Sequence, residues 1–261
     1  VRARGPLSAA IIGLGLAVLC GCEGAGAPPT TTGLSGARSG APSDGPTAVP
    51  PASATSPPPP PATSASPTAS APLPPPFRSA IKAVTAEGLS ASWRPGCPVP
   101  VEGLRAVEVT FWGFDGTAHT GVLVVEAAVA QDVTAIMSDL YGARFPIERM
   151  EPVDLYGGDD DASMAANNTS AFNCRAVTGG SSWSEHSYGR AIDVNPLVNP
   201  YVAGAVVLPT AGTAYADRAQ DAPGMIHAGD DVVRAFAARG WSWGGTWASP
   251  RDYQHFSLSG R

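Results

Sequence analysis

The last 185 residues of this 261-residue chain are predicted to fold as one α+β domain. Three observations carry that expectation. Residues 23–76 hold 16 of the 27 prolines and only three charged residues, Glu23, Arg38 and Asp44. Such a stretch has too few large apolar side chains to offset the entropy of folding. Beyond it, short runs rich in Val, Phe and Trp alternate with turn signals. Among those runs lie two or three segments with apolar residues at helical spacing, and this mixture is the mark of an α+β domain.

In chain order, a short helix is expected near Phe77, carrying Ile81, Val84 and Leu89, with a break at Arg94-Pro95-Gly96-Cys97-Pro98. Leu104 to Phe114 reads as a strand, Asp115-Gly116 as a turn and His119 to Val125 as the returning strand of a hairpin. Val129, Val133, Ile136, Met137 and Leu140 predict a helix from Ala127 to Tyr141, stopped by Gly142. Residues 157–181, rich in Gly, Asp, Asn and Ser, read as a long ordered surface loop. Arg190 to Val194 reads as a buried strand. Asp230 is a candidate N-cap for a helix with Val232, Val233, Phe236 and Ala237 on one face, ended by Gly240. Trp241 to Trp243 and His255 to Leu258 are candidates for a second pair of short strands. No internal repeat is present.

At the N-terminus, Arg2 and Arg4 precede an apolar run from Leu7 to Leu19, the pattern of a secretory signal. The run ends in Leu19-Cys20-Gly21-Cys22, which resembles a bacterial lipobox. The resemblance implies cleavage before Cys22 and lipidation of that residue; Cys20 is the competing candidate, with the poorer preceding pair Val18-Leu19. The expected organisation is a lipoprotein signal over 1–21, a disordered Pro/Ala/Ser/Thr-rich tether over 22–76 and a folded domain over 77–261. In polyproline II form the 54 residues from 23 to 76 would span roughly 170 Å. That length suits reach from a membrane into a cell wall, or is simply that of a linker with no length requirement. The expected location is the outer face of a bacterial cytoplasmic membrane, with the membrane engaged only through the lipid.

The folded part carries a net charge of −7, which argues against a nucleic-acid partner, because such partners need a basic face. Lys82 is the single lysine, which excludes a polybasic membrane patch. No apolar run outside the N-terminus reaches bilayer length. A monomer is expected. Cys97 and Cys174 remain after processing; outside the cytoplasm a disulfide is the expected state, with metal ligation the alternative.

The chemistry concentrates in two short motifs. In Ser184-Glu185-His186-Ser187-Tyr188-Gly189-Arg190-Ala191-Ile192-Asp193, a turn at Gly189 followed by a strand would bring His186 and Asp193 to one point. In Asp252-Tyr253-Gln254-His255-Phe256, an acid stands three residues before an imidazole, and one turn of helix or a tight bend would aim both at one centre. Two histidines and a carboxylate leave a tetrahedral zinc with one open position for water, and a further carboxylate can move a proton there.

Ser184-x-His186-x-x-Gly189-x-Ala191-x-Asp193 and Asp252-x-x-His255-Phe256 together resemble the signatures of the zinc D-alanyl-D-alanine carboxypeptidases and endopeptidases, the M15 peptidases, related to L-alanyl-D-glutamate endolysins. Asn168-Thr169-Ser170-Ala171-Phe172-Asn173-Cys174-Arg175 is similar to that family's secreted bacterial branch. The resemblance covers about residues 90–261 and implies a small antiparallel sheet flanked by helices. It implies His186, Asp193 and His255 as Zn2+ ligands, Asp252 as general base and Arg175 as the cation that binds substrate and stabilises the oxyanion. For Arg175 a surface salt bridge is the alternative. Ser184 orients a ligand, contacts substrate or merely caps a turn. The implied partners are peptidoglycan stem peptides. The bond cut is left open between D-Ala-D-Ala and L-Ala-D-Glu, and a non-catalytic cell-wall-binding lipoprotein that keeps the metal is the rival reading. Thr246 departs from the aspartate expected in Trp243-Gly244-Gly245-Thr246-Trp247.

His119 and His227, without partner patterns, are expected to be ordinary surface or core residues. Trp241, Trp243 and Trp247 are expected in the core, with lining of a groove the alternative. Asp159-Asp160-Asp161 is expected to be a solvated acidic loop rather than a calcium site.

Overall fold

The computed structural model describes residues 74–177 and 179–261. The signal, Cys22 and nearly all of the tether lie outside the described residues. Eleven strands and three α-helices follow in order among the described residues: β1 (Ser79–Ala83), β2 (Leu104–Trp112), β3 (Ala118–Glu126), α1 (Ala130–Gly142), β4 (Arg149–Met150), α2 (Asp160–Ala165), β5 (Asn168–Thr169), β6 (Ala191–Asp193), β7 (Tyr201–Ala203), β8 (Val206–Leu208), α3 (Asp231–Ala237), β9 (Ser242–Trp243), β10 (Arg251–Asp252) and β11 (His255–Ser257). They form three small antiparallel sheets, ordered β1-β2-β3, β10-β7-β8 and β6-β11-β9, and one short parallel pair, β4-β5. Helices and small antiparallel sheets make this the expected α+β class, with the sheet divided into three. No described helix is long and apolar enough to cross a membrane.

The β2–β3 hairpin follows from period-two patterning. Val107, Val109 and Phe111 of β2 and Leu123 and Val125 of β3 are buried on the same face, against Val133, Ile136, Met137 and Leu140 of α1. The same core continues through Ile192 of β6, Phe236 of α3 and Phe256 of β11, whose rings stack with Phe236 at 3.9 Å between centroids. The strands that carry the chemistry therefore rest on the core. Their positions are as rigid as its packing.

Four sequence expectations are corrected. Residues 79–83 form an edge strand, not a helix: Ile81 stands opposite Val107 in the ladder and Lys82 pairs with Glu108 at 2.8 Å. Pairing to the open edge of β2 outweighs the weak helical pattern. The α1 helix begins after a 3-10 turn at Ala127–Val129, and the positive φ past its end belongs to Arg144 (56°), not to Gly142. The stretch 157–181 is not a surface loop throughout. It contains α2 and β5, and Asn168, Thr169, Phe172 and Cys174 are buried. Asn168 tolerates burial because its amide both accepts from Glu151 N (2.9 Å) and donates to Glu151 O (3.0 Å). Finally, β7, β8 and β10 form a sheet that the sequence pattern did not announce.

Cys97 and Cys174 form the expected disulfide across a separation of 77 residues. Closing a loop of that length contributes roughly 4 kcal/mol in the chain-entropy picture. It also ties the N-terminal segment to the backbone that leads into Arg175.

Candidate metal centre and its cleft

Local chain geometry delivers His186. Ser184 caps a 3-10 turn, Glu185–Tyr188, its Oγ accepting from His186 N at 3.3 Å. Gly189 then turns the chain with φ 65° into β6. A Cβ on Gly189 would stand 2.5 Å from Glu126 N and 3.0 Å from Val125 C, so the turn can pack against β3 only with glycine here. In the β6–β11 ladder Asp193 lies directly opposite His255. A two-residue bend joins β11 to β10, where Asp252 sits at the strand end.

The structure brings together His186, Asp193 and His255, all buried, with one candidate ligand atom of each within 4.8 Å of the others. His186 Nε2 lies 3.2 Å from Asp193 Oδ2, His255 Nδ1 lies 3.0 Å from Asp193 Oδ1, and the two ring nitrogens are 3.3 Å apart. The outer nitrogens face carbonyl oxygens, His186 Nδ1 at 2.6 Å from Ala171 O and His255 Nε2 at 3.1 Å from Arg261 O. A carbonyl can only accept, so each outer nitrogen carries its proton and each inner nitrogen presents a lone pair. Two lone pairs and a carboxylate then crowd one point, which is stable only with a cation among them. The donor set fits a metal ion, and the outer carbonyls are the kind of partner that orients metal-bound histidines.

In the metal-free protein a proton takes that place. Burial alone would lower the His255 pKa, but the bond to Asp193 and the charges of Asp193 and Asp252 raise it from 6.5 to about 9. Burial would raise Asp193, yet His186 and His255 outweigh it and hold the carboxyl well below its usual range. The raised His255 pKa stabilises the metal-free fold fully below pH 6.5, and that contribution is lost as pH rises through about 9. Metal must displace the proton. Metal affinity, measured by competition with a chelator of known pH dependence, is therefore expected to strengthen from pH 6 to 9. A flat profile over that range would contradict this picture.

Asp252 faces the same centre without belonging to the ligand set. Burial pushes its carboxyl up to about 7, with His255 pulling it down and Asp193 pushing it up. Its Oδ1 is buried without a hydrogen-bond partner. Gly244 backs it: a Cβ there would come within 2.7 Å of Asp252 O.

These groups line a cleft of about 450 Å3. Trp183 lines it, as do Tyr201 and Leu208, on β7 and β8. Arg175 also lines the cleft. Its backbone N donates to Ser187 Oγ at 2.9 Å, and its Nη2 pairs with Asp160 Oδ2 at 2.7 Å while Nε is buried and unpartnered. The salt-bridge geometry and the cleft position both hold for this residue. Ser184 lines the cleft as well, with its hydroxyl engaged as the cap.

Asp160 departs from the solvated acidic loop expected of its neighbours, since Arg175 lies fifteen residues away and no local pattern signals the pair. Asp159 caps α2 by accepting from Ala162 N. Trp241 and Trp243 are in the core as expected, but Trp247 is on the cleft, 5.5 Å from the His255 ring. Thr246 Oγ1 donates to Trp243 O within its own turn. His119 pairs with Asp115 in the hairpin and His227 lies 3.9 Å from Asp221; neither joins the centre.

A family model described as D-alanyl-D-alanine carboxypeptidase matches residues 178–258. The matched span contains Ser184, His186, Asp193, Asp252 and His255 and leaves out Arg175, Asp160 and the first sheet. The match supports a peptidase. No curated protein and no solved structure matches the chain.

Proposed function

We propose that this chain is a zinc peptidase acting on peptidoglycan stem peptides, as a D-Ala-D-Ala carboxypeptidase or an L-Ala-D-Glu endopeptidase. The observation that carries the reading is the convergence of His186, Asp193 and His255 beside Asp252, whose Oδ1 is buried without a partner, within the span matched by the peptidase family model. The two histidines and Asp193 would hold the zinc. When bound, zinc supplies Lewis acidity, lowering the pKa of water and polarising a carbonyl.

Asp252 has the position and the proton affinity of a general base. Its carboxyl, raised to about 7 by burial, exchanges a proton near neutral pH. It takes the proton from the attacking water and returns it to the leaving amine. Arg175 offers positive charge to the oxygen on which negative charge develops, and its Nε has no partner within the chain. Asp160 holds the guanidinium through Nη2. The proposed setting is outside the cytoplasm, with a lipid on Cys22 and a proline-rich reach to the wall, a reading that rests on the sequence pattern.

The test is to incubate the metal-loaded protein, a chelated sample and the untreated chain with purified peptidoglycan fragments and to identify products by mass spectrometry. Metal-dependent loss of a terminal alanine would identify a carboxypeptidase, and a cut further inside the stem an endopeptidase. Absence of any metal-dependent product from several wall types would contradict the proposal and favour a binding protein.

A further inference from the structure

Gln254 lies in the bend between Asp252 and His255. Its main-chain carbonyl accepts from Val194 N at 2.9 Å, which anchors it to the end of β6. The residue is 2% exposed and is among those that line the cleft. The amide nitrogen donates to Met164 Sδ at 3.5 Å. A thioether sulfur has lone pairs and no proton, so only the nitrogen end of the amide can face it. The oxygen, Oε1, is left buried with no donor.

Buried polar atoms without partners are few in native proteins, and each needs a reason. Five such side-chain atoms occur among the described residues. Three of the five belong to residues that line the one cleft: Arg175 Nε, Asp252 Oδ1 and Gln254 Oε1. Proton transfer accounts for Asp252, and contact with a carbonyl oxygen accounts for Arg175. That chemistry engages Gln254 only through its amide N–H, which bonds to the Asp252 carboxylate and favours its ionised form; the oxygen has no part in it. An apolar side chain would pack against Met164 without leaving an orphan. A glutamate would place a third carboxylate beside Asp193 and Asp252, which disfavours ionisation of all three. A neutral amide supplies an acceptor without adding charge.

We propose that Gln254 is a substrate-binding residue whose Oε1 accepts a backbone N–H of the peptide, at an amide other than the one cleaved. This inference rests on the peptidase reading. The cleaved amide is excluded because its nitrogen must receive a proton as it leaves.

The experiment uses the full metal-loaded chain carrying Asp252→Asn, so that peptides bind without turnover. Calorimetry measures binding of N-acetyl-L-lysyl-D-alanyl-D-alanine, and of an L-Ala-D-Glu-containing stem peptide. It also measures analogues in which one uncleaved amide at a time becomes an ester, which removes a single N–H. With Gln254 present, one ester analogue is expected to bind about tenfold more weakly than its amide. With Gln254→Met added, which keeps length and burial but removes the acceptor, that difference is expected to shrink to less than twofold. Equal discrimination in both proteins would overturn the inference. So would binding of every ester as tightly as the amide with Gln254 in place, a result that needs no variant at this position, and so would failure of every peptide to bind. Turnover of the same peptides by the unmodified chain separates the two levels. Metal-dependent products without ester discrimination would overturn the role of Gln254 alone, whereas absence of products would overturn the peptidase reading beneath it.

Discussion

Replacing Asp252 with asparagine is expected to lower kcat by about 10^2- to 10^4-fold while leaving one zinc bound per chain. The side chain keeps its size and its seat against Gly244, and the His186–Asp193–His255 group is untouched. What is lost is the ability to take and return a proton. The pH profile gives a second readout. A general base works ionised, so turnover in the unmodified chain should rise with pH through the Asp252 pKa. Burial first, and the charge of Asp193 after it, set that pKa high, and a bound cation nearby favours the ionised form, so the rise should centre below about 7. In the asparagine variant that limb should vanish. Loss of zinc together with activity would instead place Asp252 among the ligands.

Replacing Asp193 with alanine is expected to weaken zinc binding by more than about 100-fold and to abolish turnover. Asp193 bridges both imidazoles, at 3.2 Å and 3.0 Å, and is the only anion in direct contact with either inner nitrogen among the described residues. Without it the metal loses a ligand and the charge that balances it. The metal-free protein changes too. The Asp193 bond that raises His255 disappears, burial then favours the neutral ring, and the pKa of His255 should fall from about 9. Breaking a buried pair by removing one partner typically costs about 3–5 kcal/mol, so the variant should also melt earlier. Zinc affinity measured by chelator competition, alongside a thermal melt, reads both effects. Unchanged affinity would remove Asp193 from the ligand set.

The centre was legible in the sequence because its pieces are local. Ser184, His186, Gly189 and Asp193 set one turn and one short strand, and Asp252 and His255 are separated by one bend. Short spacing leaves the chain few geometries, so residue types and gaps carry most of the information. The hairpin 104–126 and the α1 helix were legible for the same reason, since their periodicity is sustained. The walls were not. The strands β7, β8 and β10 have two or three residues each, too few to show a period, and they exist because they pair with one another. The edge strand at Ser79–Ala83 depends on β2, more than twenty residues away. Asp160 and Arg175 meet across α2 and β5, and Trp247 reaches His255 only after the turn at Gly244 is made. Gln254 was visible as a residue of the motif, but that its oxygen lacks a donor is a property of Met164 and of the cleft.

The central claim is that His186, Asp193 and His255 hold one zinc ion. X-ray absorption at the zinc edge of the loaded full chain tests it most directly. The account predicts one zinc per chain with only nitrogen and oxygen neighbours at about 2.0–2.2 Å, a two-imidazole signature, and loss of that signature in the His255→Ala protein. Sulfur at about 2.3 Å, or an unchanged spectrum after that substitution, would contradict it.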